Sequence, residues 1–516
     1  MAEKIFAAID VGSFELGLKI YEISPRYGIR ALEHVRYRLA LGTDSYVNRK
    51  ISYEKMEELF RVLREFQTIM QSYKVSEYRA YGTSAIRETE NTAIILEQIK
   101  NRTGIRLEVL SNSEQRFLDY KAIASSNLAE GRMFSKIIEK ETAIVDIGGG
   151  NTQISLFDKD RLILTQNIKL GVLRLYESME KMQPRAAQLE ELLDEIILEQ
   201  IHVFRKMYLK DSEIKRLILM DEYLSPLFVR GVIPGMSETR LVSADDFVAF
   251  DESLKGRGAE ELSDALEVSE ETVTLVRLAS ALVRRITEMF SVESIWAPGV
   301  SICDGMAYEY AEQLKLRGIS HDFEQDILAS ASNISKRYLG SRKRRETLEK
   351  ITLTIFDAMT TVHGMGSRER LLLQLAAILH DCGKYINMYN VGECSFNIVM
   401  NTEIIGLSHR EREMVAFIVK FNHDEFEYFE DLPIDYGIDM SAYLTIAKLT
   451  AILRIANALD KSHKEKFRSI RAELDDDRLQ LYVNAGTDIL FEKDRFERQI
   501  GFFEEVYGIR PAIVQK

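Results

Sequence analysis

The sequence predicts a duplicated α/β fold followed by an all-helical half, and three observations carry that prediction. Two short loops, Ala8-Ile9-Asp10-Val11-Gly12-Ser13 and Val145-Asp146-Ile147-Gly148-Gly149-Gly150-Asn151-Thr152, each follow an apolar strand-like run and precede another. Each loop opens a stretch in which strand and helix patterns alternate, up to about residue 315. Beyond about Ser320 the texture changes, and residues 324–465 read as almost continuous amphipathic helix. The implied division is 1–128 and 129–316 for two α/β subdomains, 324–465 for a helical domain and 466–516 for a small α+β tail.

The elements follow in order. Residues 1–40 read as strand, loop, strand and a third strand around Ile29 to Leu39. Tyr53 to Tyr73 is a helix, because Met56, Leu59, Phe60, Leu63, Phe66 and Met70 recur at three- and four-residue spacing. Glu77 to Tyr81 is a short strand, and Thr83 or Ser84 is placed to cap the helix after it, leaving free N–H groups at a positive dipole end. Arg106 to Leu110 is a strand, and Ser111-Asn112-Ser113 caps a helix through Ala124. After Gly131 the strand–loop–strand pattern restarts, then helical segments run from Val172 to Lys210 and from Val273 to Met289. Ile295 to Gly299 is a strand, Ser301 to Leu316 a helix, and Arg468 to Val483 a hairpin turning at Asp475-Asp476-Asp477.

Composition bounds the function. With 516 residues and 46% apolar content the chain fills more than one core. Lys and Arg total 68 against 81 Asp and Glu, a net charge of −13, which argues against a general nucleic-acid binder. An anionic substrate then requires local basic residues. Cys303, Cys382 and Cys394 form neither a metal-ligand spacing nor a disulfide framework, so a reducing cytoplasm is expected. No uncharged run approaches the roughly 20 residues that span a bilayer. The 17 methionines are most simply core filling.

The two loops carry the chemistry. Glycine lets the backbone approach a phosphate closely and offers bare N–H groups to its oxygens. A carboxylate at the tip suits Mg²⁺, which takes one or two protein carboxylates and keeps its waters. One Asp-Gly turn mostly just closes a hairpin. Two, heading two similar halves, point to a phosphate cleft between them.

Asp10-Val11-Gly12-Ser13, Tyr81-Gly82-Thr83-Ser84-Ala85-Ile86-Arg87, Val109-Leu110-Ser111, Val145 to Gly150 and Lys169-Leu170-Gly171-Val172-Leu173-Arg174 occur in one order. In that order they resemble the exopolyphosphatase / guanosine pentaphosphate phosphohydrolase (Ppx/GppA) family. The resemblance implies the duplicated fold of actin, Hsp70 and acetate kinase. The stretch Leu375 to Lys384 with His380-Asp381, then Ile404 to Ser408 and Ile452 to His463, is similar to the HD-type helical domain often appended. By the resemblance, Asp10 and Asp146 hold Mg²⁺, and the amides of Gly12, Ser13, Gly148, Gly149 and Gly150 cradle phosphates, joined by Ser84, Asn151 and the Thr152 hydroxyl. Arg87 clamps the terminal phosphoryl group. The implied ligand is inorganic polyphosphate or a guanosine nucleotide, with no DNA or membrane partner, and a homodimer is expected through the helical half.

The chain also departs from the family pattern. The first loop, normally Ser-Asn-Ser, continues Ser13-Phe14-Glu15, and Ser-Thr-Glu becomes Asn151-Thr152-Gln153. The catalytic base, the second Glu of a Glu-Glu pair, aligns with Gln115, preceded by Glu114 and followed by Arg116-Phe117. Glutamine orients a water but cannot take its proton, and losing a general base costs about 10²–10⁴-fold. Glu114 is read first as a helix-start residue favoured by the dipole, with a role in the cleft as the alternative. The family's Gly-Gly-Thr stretch is missing, and Leu217 to Pro226 stands roughly in its place. In the HD-like region the first His aligns with Arg344 and the later Asp with Asn457, leaving a vestigial His380-Asp381 pair, although His423 and Asp460 lie close enough to keep the alignment open. Arg342 to Arg345 reads equally as a solvated face or as a guide for a polyanion. Two functions follow: a phosphoanhydride hydrolase, or a polyphosphate- or nucleotide-binding relative whose catalysis has lapsed.

Overall fold

The computed structural model describes every residue except 1–2, 131–136, 140, 160, 184–187, 210–212, 317–320, 433–435, 465, 476–477 and 516. Gly131, Lys210, Ser320, Asp476 and Asp477, which marked expected boundaries and a turn, lie outside the described residues. The chain divides into two compact units, Met1–Phe323 and Glu324–Lys516.

The first unit contains two sheets of matching plan. Strands β1 (Lys4–Val11), β2 (Glu15–Ser24), β3 (Gly28–Arg38), β4 (Glu77–Gly82) and β5 (Glu108–Val109) lie in the order β3-β2-β1-β4-β5. The first three pair antiparallel as a meander, and β4 and β5 add on parallel. The second sheet repeats this with β6 (Thr142–Ile147), β7 (Thr152–Asp158), β8 (Arg161–Ile168), β9 (Arg216–Asp221), β10 (Leu241–Ser243) and β11 (Ser294–Trp296), in the order β10-β11-β9-β6-β7-β8. Here β6, β7 and β8 are the meander, and β9 and β11 the parallel additions. Both loops close the tight hairpins that the sequence predicts, β1–β2 and β6–β7.

The strand period places the acids. In β1, Ala7, Ile9 and Val11 face a core with Leu59, Phe60, Leu63 and Phe66 of the helix Tyr53–Ser72. Phe6 and Ala8 face the opposite core, with Leu118 and the helix Ile302–Gln313. Alternation puts Asp10 on this second face. In β6, Ala143, Val145 and Ile147 are core and Asp146 again takes the other face. Each fully buried large side chain contributes about 1.5–3 kcal/mol, so this register is strongly fixed. The helix Ile302–Gln313 was expected in the second subdomain (129–316), yet it packs on the first sheet. Its apolar face, Ile302, Met306, Ala307 and Ala311, fits Phe6, Tyr21 and Ile23.

The second unit is mainly helical, with Arg342–Ala358, Ser367–Leu379, His409–Phe421 and Met440–Leu459 at its centre. Met440–Leu459 is long and apolar enough to cross a membrane by composition, but most of it is buried in this core. Strands β12 (Phe467–Asp475), β13 (Arg478–Ala485) and β14 (Arg510–Gln515) form a small sheet. The expected break near 465 does not separate two units. The Tyr507 hydroxyl, on the helix Leu490–Tyr507, donates 2.8 Å to the Lys448 carbonyl of the central helix.

Candidate active site

Asp10 and Asp146 occupy the same place in their strands, one residue from the end, opposite Gly17 and Gln153 on the hairpin partners. Both line one cavity of about 380 Å³ in the first unit, together with Gly148 and Gln115. Four further carboxylates join them: Glu15, Asp119, Asp221 and Glu222. The cations in the wall are Lys19, Arg36 and Arg230, beside His34, which burial lowers to about 4. Lys19 is committed to Asp304 at 2.8 and 2.9 Å, and Arg36 reaches Glu15 at 3.5 Å.

Six carboxylates against three cations leave the cavity electrostatically strained. Burial first, then the charges of Glu15 and Asp146, push the Asp10 carboxyl up to about 7. Burial raises Asp146 to about 6, with Arg116 and a hydrogen bond from Asp119 pulling the other way. Asp221 rises to about 7, mainly through burial, while Asp119 and Glu222 are pushed well above the usual carboxylate range by burial and their acidic neighbours. Buried atoms without a hydrogen-bond partner converge here: Asp10 Oδ1, Gln115 Oε1, Asp221 Oδ2 and Glu222 Oε2. Such atoms cost free energy unless a ligand satisfies them. Among the described residues no group of three or more His, Cys, Asp or Glu side chains is arranged as a ready metal cage. Two facing aspartates with an orphaned oxygen instead suit a Mg²⁺ ion that brings its own waters.

The hairpins use most of the donors expected to cradle phosphate. The Gly12 N–H donates to the Glu15 carbonyl at 3.1 Å, and the Gly148 N–H to the Asn151 carbonyl at 3.0 Å. The hydroxyls of Ser13 and Ser84 form a triangle with Tyr46, at 2.6 to 2.8 Å. Thr152 donates to the Leu170 carbonyl, and the Asn151 amide to Asn167 Oδ1 at 2.6 Å. Gly149 and Gly150 are glycines because of crowding. A Cβ on Gly149 would lie 2.8 Å from Leu173 Cδ1, and one on Gly150 2.4 Å from the Tyr46 ring. The Lys169-to-Arg174 motif holds this loop from behind. N–H groups of Val172, Leu173 and Arg174 bond the Gly148 and Gly149 carbonyls, and Arg174 Nε bonds the Gly150 carbonyl at 2.7 Å. A trans peptide then turns the N–H groups of Gly149 and Gly150 to the other side.

The helix Asn112–Glu130 decides between Glu114 and Gln115. The Ser111 N–H donates to Glu114 Oε2 at 2.9 Å and the Glu114 N–H to Ser111 Oγ at 3.2 Å, a reciprocal cap that keeps Glu114 out of the cavity wall. Gln115 lines the cavity. Asp119 lies one helical turn on, on the same face. Arg87, expected on the terminal phosphoryl group, instead ties chain segments together, donating to the Leu110 carbonyl at 2.6 Å and Asn112 Oδ1 at 2.5 Å. The helix it ends, Ser84–Arg87, is only four residues long and has no side-chain cap, so the expected dipole end there is minimal.

Departures from the family pattern meet in space. Arg116 Nε donates to Gln153 Oε1 at 2.7 Å, joining the altered base segment to the altered third-phosphate loop. Phe14 packs on Tyr223 with ring centroids 5.2 Å apart, joining the altered first loop to the segment that replaces Gly-Gly-Thr. In the second unit Arg344 Nη2 donates to Asn457 Oδ1 at 2.7 Å. That guanidinium also reaches His380 Nε2 at 3.2 Å and Asp460 Oδ2 at 3.2 Å. It stands against the His380 ring, in the pair that the sequence reads as vestigial. Asp381 turns to Lys384 instead, at 3.3 Å. Arg344 is therefore an internal cation, neither a solvated residue nor a polyanion guide, whereas Arg342 is exposed.

Sequence reasoning did not single out Asp119, Asp221 or Glu222. Asp119 carried a signal, since it is an acid at an otherwise apolar helix position one turn from Gln115.

Comparison with known proteins agrees with this architecture. A Ppx/GppA phosphatase family model matches residues 25–314, and a model of Ppx/GppA phosphatase domain III matches 328–496. A guanosine-5'-triphosphate,3'-diphosphate pyrophosphatase of Vibrio vulnificus (strain YJ016) is 22% identical over 498 residues, covering 93% of this chain and 92% of the relative. One of Aliivibrio fischeri (strain MJ11) is 21% identical over 462 residues, covering 88% and 86%. An exopolyphosphatase structure from Cytophaga hutchinsonii ATCC 33406 shares the fold with a TM-score of 0.50 at 18% identity, over 60% of this chain and 98% of that one. With family models spanning both units, the duplicated phosphatase fold and the helical half are explained together: the chain belongs to the Ppx/GppA phosphatase family.

Proposed function

We propose that the protein is a phosphoanhydride hydrolase that releases terminal phosphate from inorganic polyphosphate or guanosine pentaphosphate with Mg²⁺, in a reducing cytoplasm. The observation that carries this reading is the pairing of Asp10 and Asp146, from equivalent hairpins, in one cavity. Bound by these two carboxylates, Mg²⁺ would supply charge neutralisation for the phosphate oxygens. The chain's own residues do the rest. Lys19, Arg36 and Arg230 place positive charge in the wall, the first two offset by Asp304 and Glu15, and the N–H groups of Gly149 and Gly150, which stand outside that wall, remain unbonded among the described residues. Gln115 Oε1, buried and unsatisfied, accepts a hydrogen bond from a water and orients it. Hydrolysis of a phosphoanhydride needs little beyond positioned donors, charge and an oriented water.

The second reading, a binding protein with lapsed catalysis, is favoured by one specific feature. Glu114 is held as a helix cap, so the glutamate nearest the base position does not replace the missing base. Phosphate release from long-chain polyphosphate in Mg²⁺, measured for wild type beside Gln115→Glu, separates the two. Release by wild type supports the hydrolase. No release from wild type, with release from Gln115→Glu, leaves the lapsed reading.

A further inference from the structure

One side chain of the first half touches both hairpins from outside the cavity. At Ala40, φ 47°, the chain turns left-handed out of β3 into the helix Leu41–Asn48. That turn seats the helix on the first hairpin. The N–H groups of Leu39 and Ala40 donate to the Phe14 carbonyl at 3.1 and 2.8 Å, and the Gly42 N–H donates to the Ser13 carbonyl at 2.8 Å. From this helix Tyr46 reaches back, its hydroxyl 2.6 Å from Ser13 Oγ and 2.8 Å from Ser84 Oγ. Its ring belongs to the other half, packing on the core of the second sheet. Gly150 of the second hairpin admits the ring because it has no Cβ, which would overlap Tyr46 Cζ. The Arg174 guanidinium lies 4.4 Å from the ring centroid, and Arg174 also bonds the Gly150 carbonyl at 2.7 Å and the Glu88 carboxylate. Tyr46 is therefore fixed to the first hairpin by its hydroxyl and to the second by its ring.

We propose that Tyr46 is a positioning residue that sets the gap between the two hairpins, and with it the separation of Asp10 and Asp146 across the cavity. This rests on the reading of the cleft as a magnesium and phosphate site. Each hairpin is closed by its own hydrogen bond, Gly12 to Glu15 and Gly148 to Asn151, so each moves as a body rather than bending. Ser13 and Gly150, which Tyr46 touches, lie in the same turns as the two aspartates. A close-packed contact does not absorb a change of volume, so its neighbours shift instead. A shift of the hairpins changes how well one Mg²⁺ with its phosphate ligand can meet both carboxylates. Tyr46 itself is absent from the cavity wall, so it acts only through the hairpins.

The test is calorimetric titration of the full-length chain with tripolyphosphate in excess Mg²⁺, at a temperature where thermal unfolding shows every protein folded. Wild type is compared with Tyr46→Phe, Tyr46→Leu, Gly150→Ala and the double variant Tyr46→Leu with Gly150→Ala. Phenylalanine keeps the ring in the gap, so binding close to wild type is expected. Leucine underfills the gap and the alanine overfills it, so each is expected to bind about tenfold weaker. In the double variant the added methyl enters space that the ring has left, and binding tighter than in either single variant is expected. A merely structural role lowers the melting temperature without this recovery of affinity. Tyr46→Leu binding like wild type overturns the proposal, and so does a double variant as weak as the two single losses multiplied together. The pair Tyr46→Phe and Tyr46→Leu decides alone should Gly150→Ala not fold. These failures leave the phosphate reading of the cleft standing; if wild type does not bind tripolyphosphate, that reading falls and this inference with it.

Discussion

The cleft of the first unit and the buried polar cluster of the second use similar side chains and reach opposite states. In the cleft, Asp10, Asp221, Glu222 and Gln115 each keep a buried oxygen without a partner. In the helical unit, a single guanidinium satisfies His380, Asn457 and Asp460 together, at 2.7 to 3.2 Å. Unmet hydrogen-bonding capacity in a cavity is what a ligand site looks like, because binding energy is held back for the ligand. The Arg344 cluster is largely satisfied and stabilises its own packing, although Asn422 Nδ2, whose amide oxygen accepts from Asn457, is buried without a partner among the described residues. The contrast separates a cleft with unmet hydrogen-bonding capacity from a polar cluster that serves as scaffold.

The largest expected effect breaks the Arg344 network. Arg344→Ala leaves the Asp460 carboxylate buried without its cation, which costs about 3–5 kcal/mol of unfolding free energy in the helical unit. Urea unfolding followed by segment-resolved hydrogen exchange should show the loss in Glu324–Lys516 and leave the cleft segments alone. A loss below about 1 kcal/mol would remove the claim that Arg344 is the keystone.

The corresponding change in the cleft should have the opposite sign on stability. Asp10→Asn removes one charge from an overfull cluster and is expected to stabilise the first unit by about 1–3 kcal/mol. The same variant is expected to lower Mg²⁺-dependent phosphate release by about 100-fold or more. Thermal unfolding and phosphate release on one preparation measure both; a variant that loses stability would contradict the strained-cluster account.

The two regions should also respond oppositely to pH. Asp10 and Asp221 rise from 3.8 to about 7 and Asp146 to about 6, so between about pH 4 and 7 the folded cleft keeps protons that the unfolded chain has released. Its stability is fully present below about pH 4 and is lost as pH rises to 7. Burial lowers His380 from 6.5 to about 3, so its contribution is present above about pH 6.5 and is lost as pH falls through that range. Hydrogen exchange at pH 5 and pH 7.5, corrected for intrinsic rates, should show the first unit better protected at the lower pH and the second at the higher. Parallel changes in both units would refute the assignment. The smallest expected effect is at Glu114. Its replacement by alanine should cost about 0.5–1 kcal/mol, as a lost cap does, and leave phosphate release unchanged. A large loss of release would return Glu114 to the cleft.

Much of the fold was legible because its signals are local. The duplicated hairpins, the helix at Tyr53 and the cap at Ser111 follow from periodicity and turn chemistry within a few residues. Asp10 and Asp146 were legible for the same reason. What local patterns do not reveal is which hydrogen bonds a donor already makes. Ser13, Ser84, Thr152 and Arg87 have the right chemistry for phosphate, but Tyr46, Leu170, Leu110 and Asn112 claim them through contacts far along the chain. Asp221 and Glu222 were missed because a strand-end acid signals nothing until the sheet order sets β9 beside β6. Arg344 aligns with a ligand position of the HD pattern, and only the tertiary structure brings it onto His380, Asn457 and Asp460.

The most direct test of the contrast is segment-resolved hydrogen exchange of the full-length chain with and without Mg²⁺ and tripolyphosphate. The account predicts added protection in the two hairpins, around residues 8–17 and 145–153, and in the turn at 220–226. It predicts no change around Arg344, His380 and Asn457. Protection centred on the Arg344 cluster, or none in the hairpins, would contradict it.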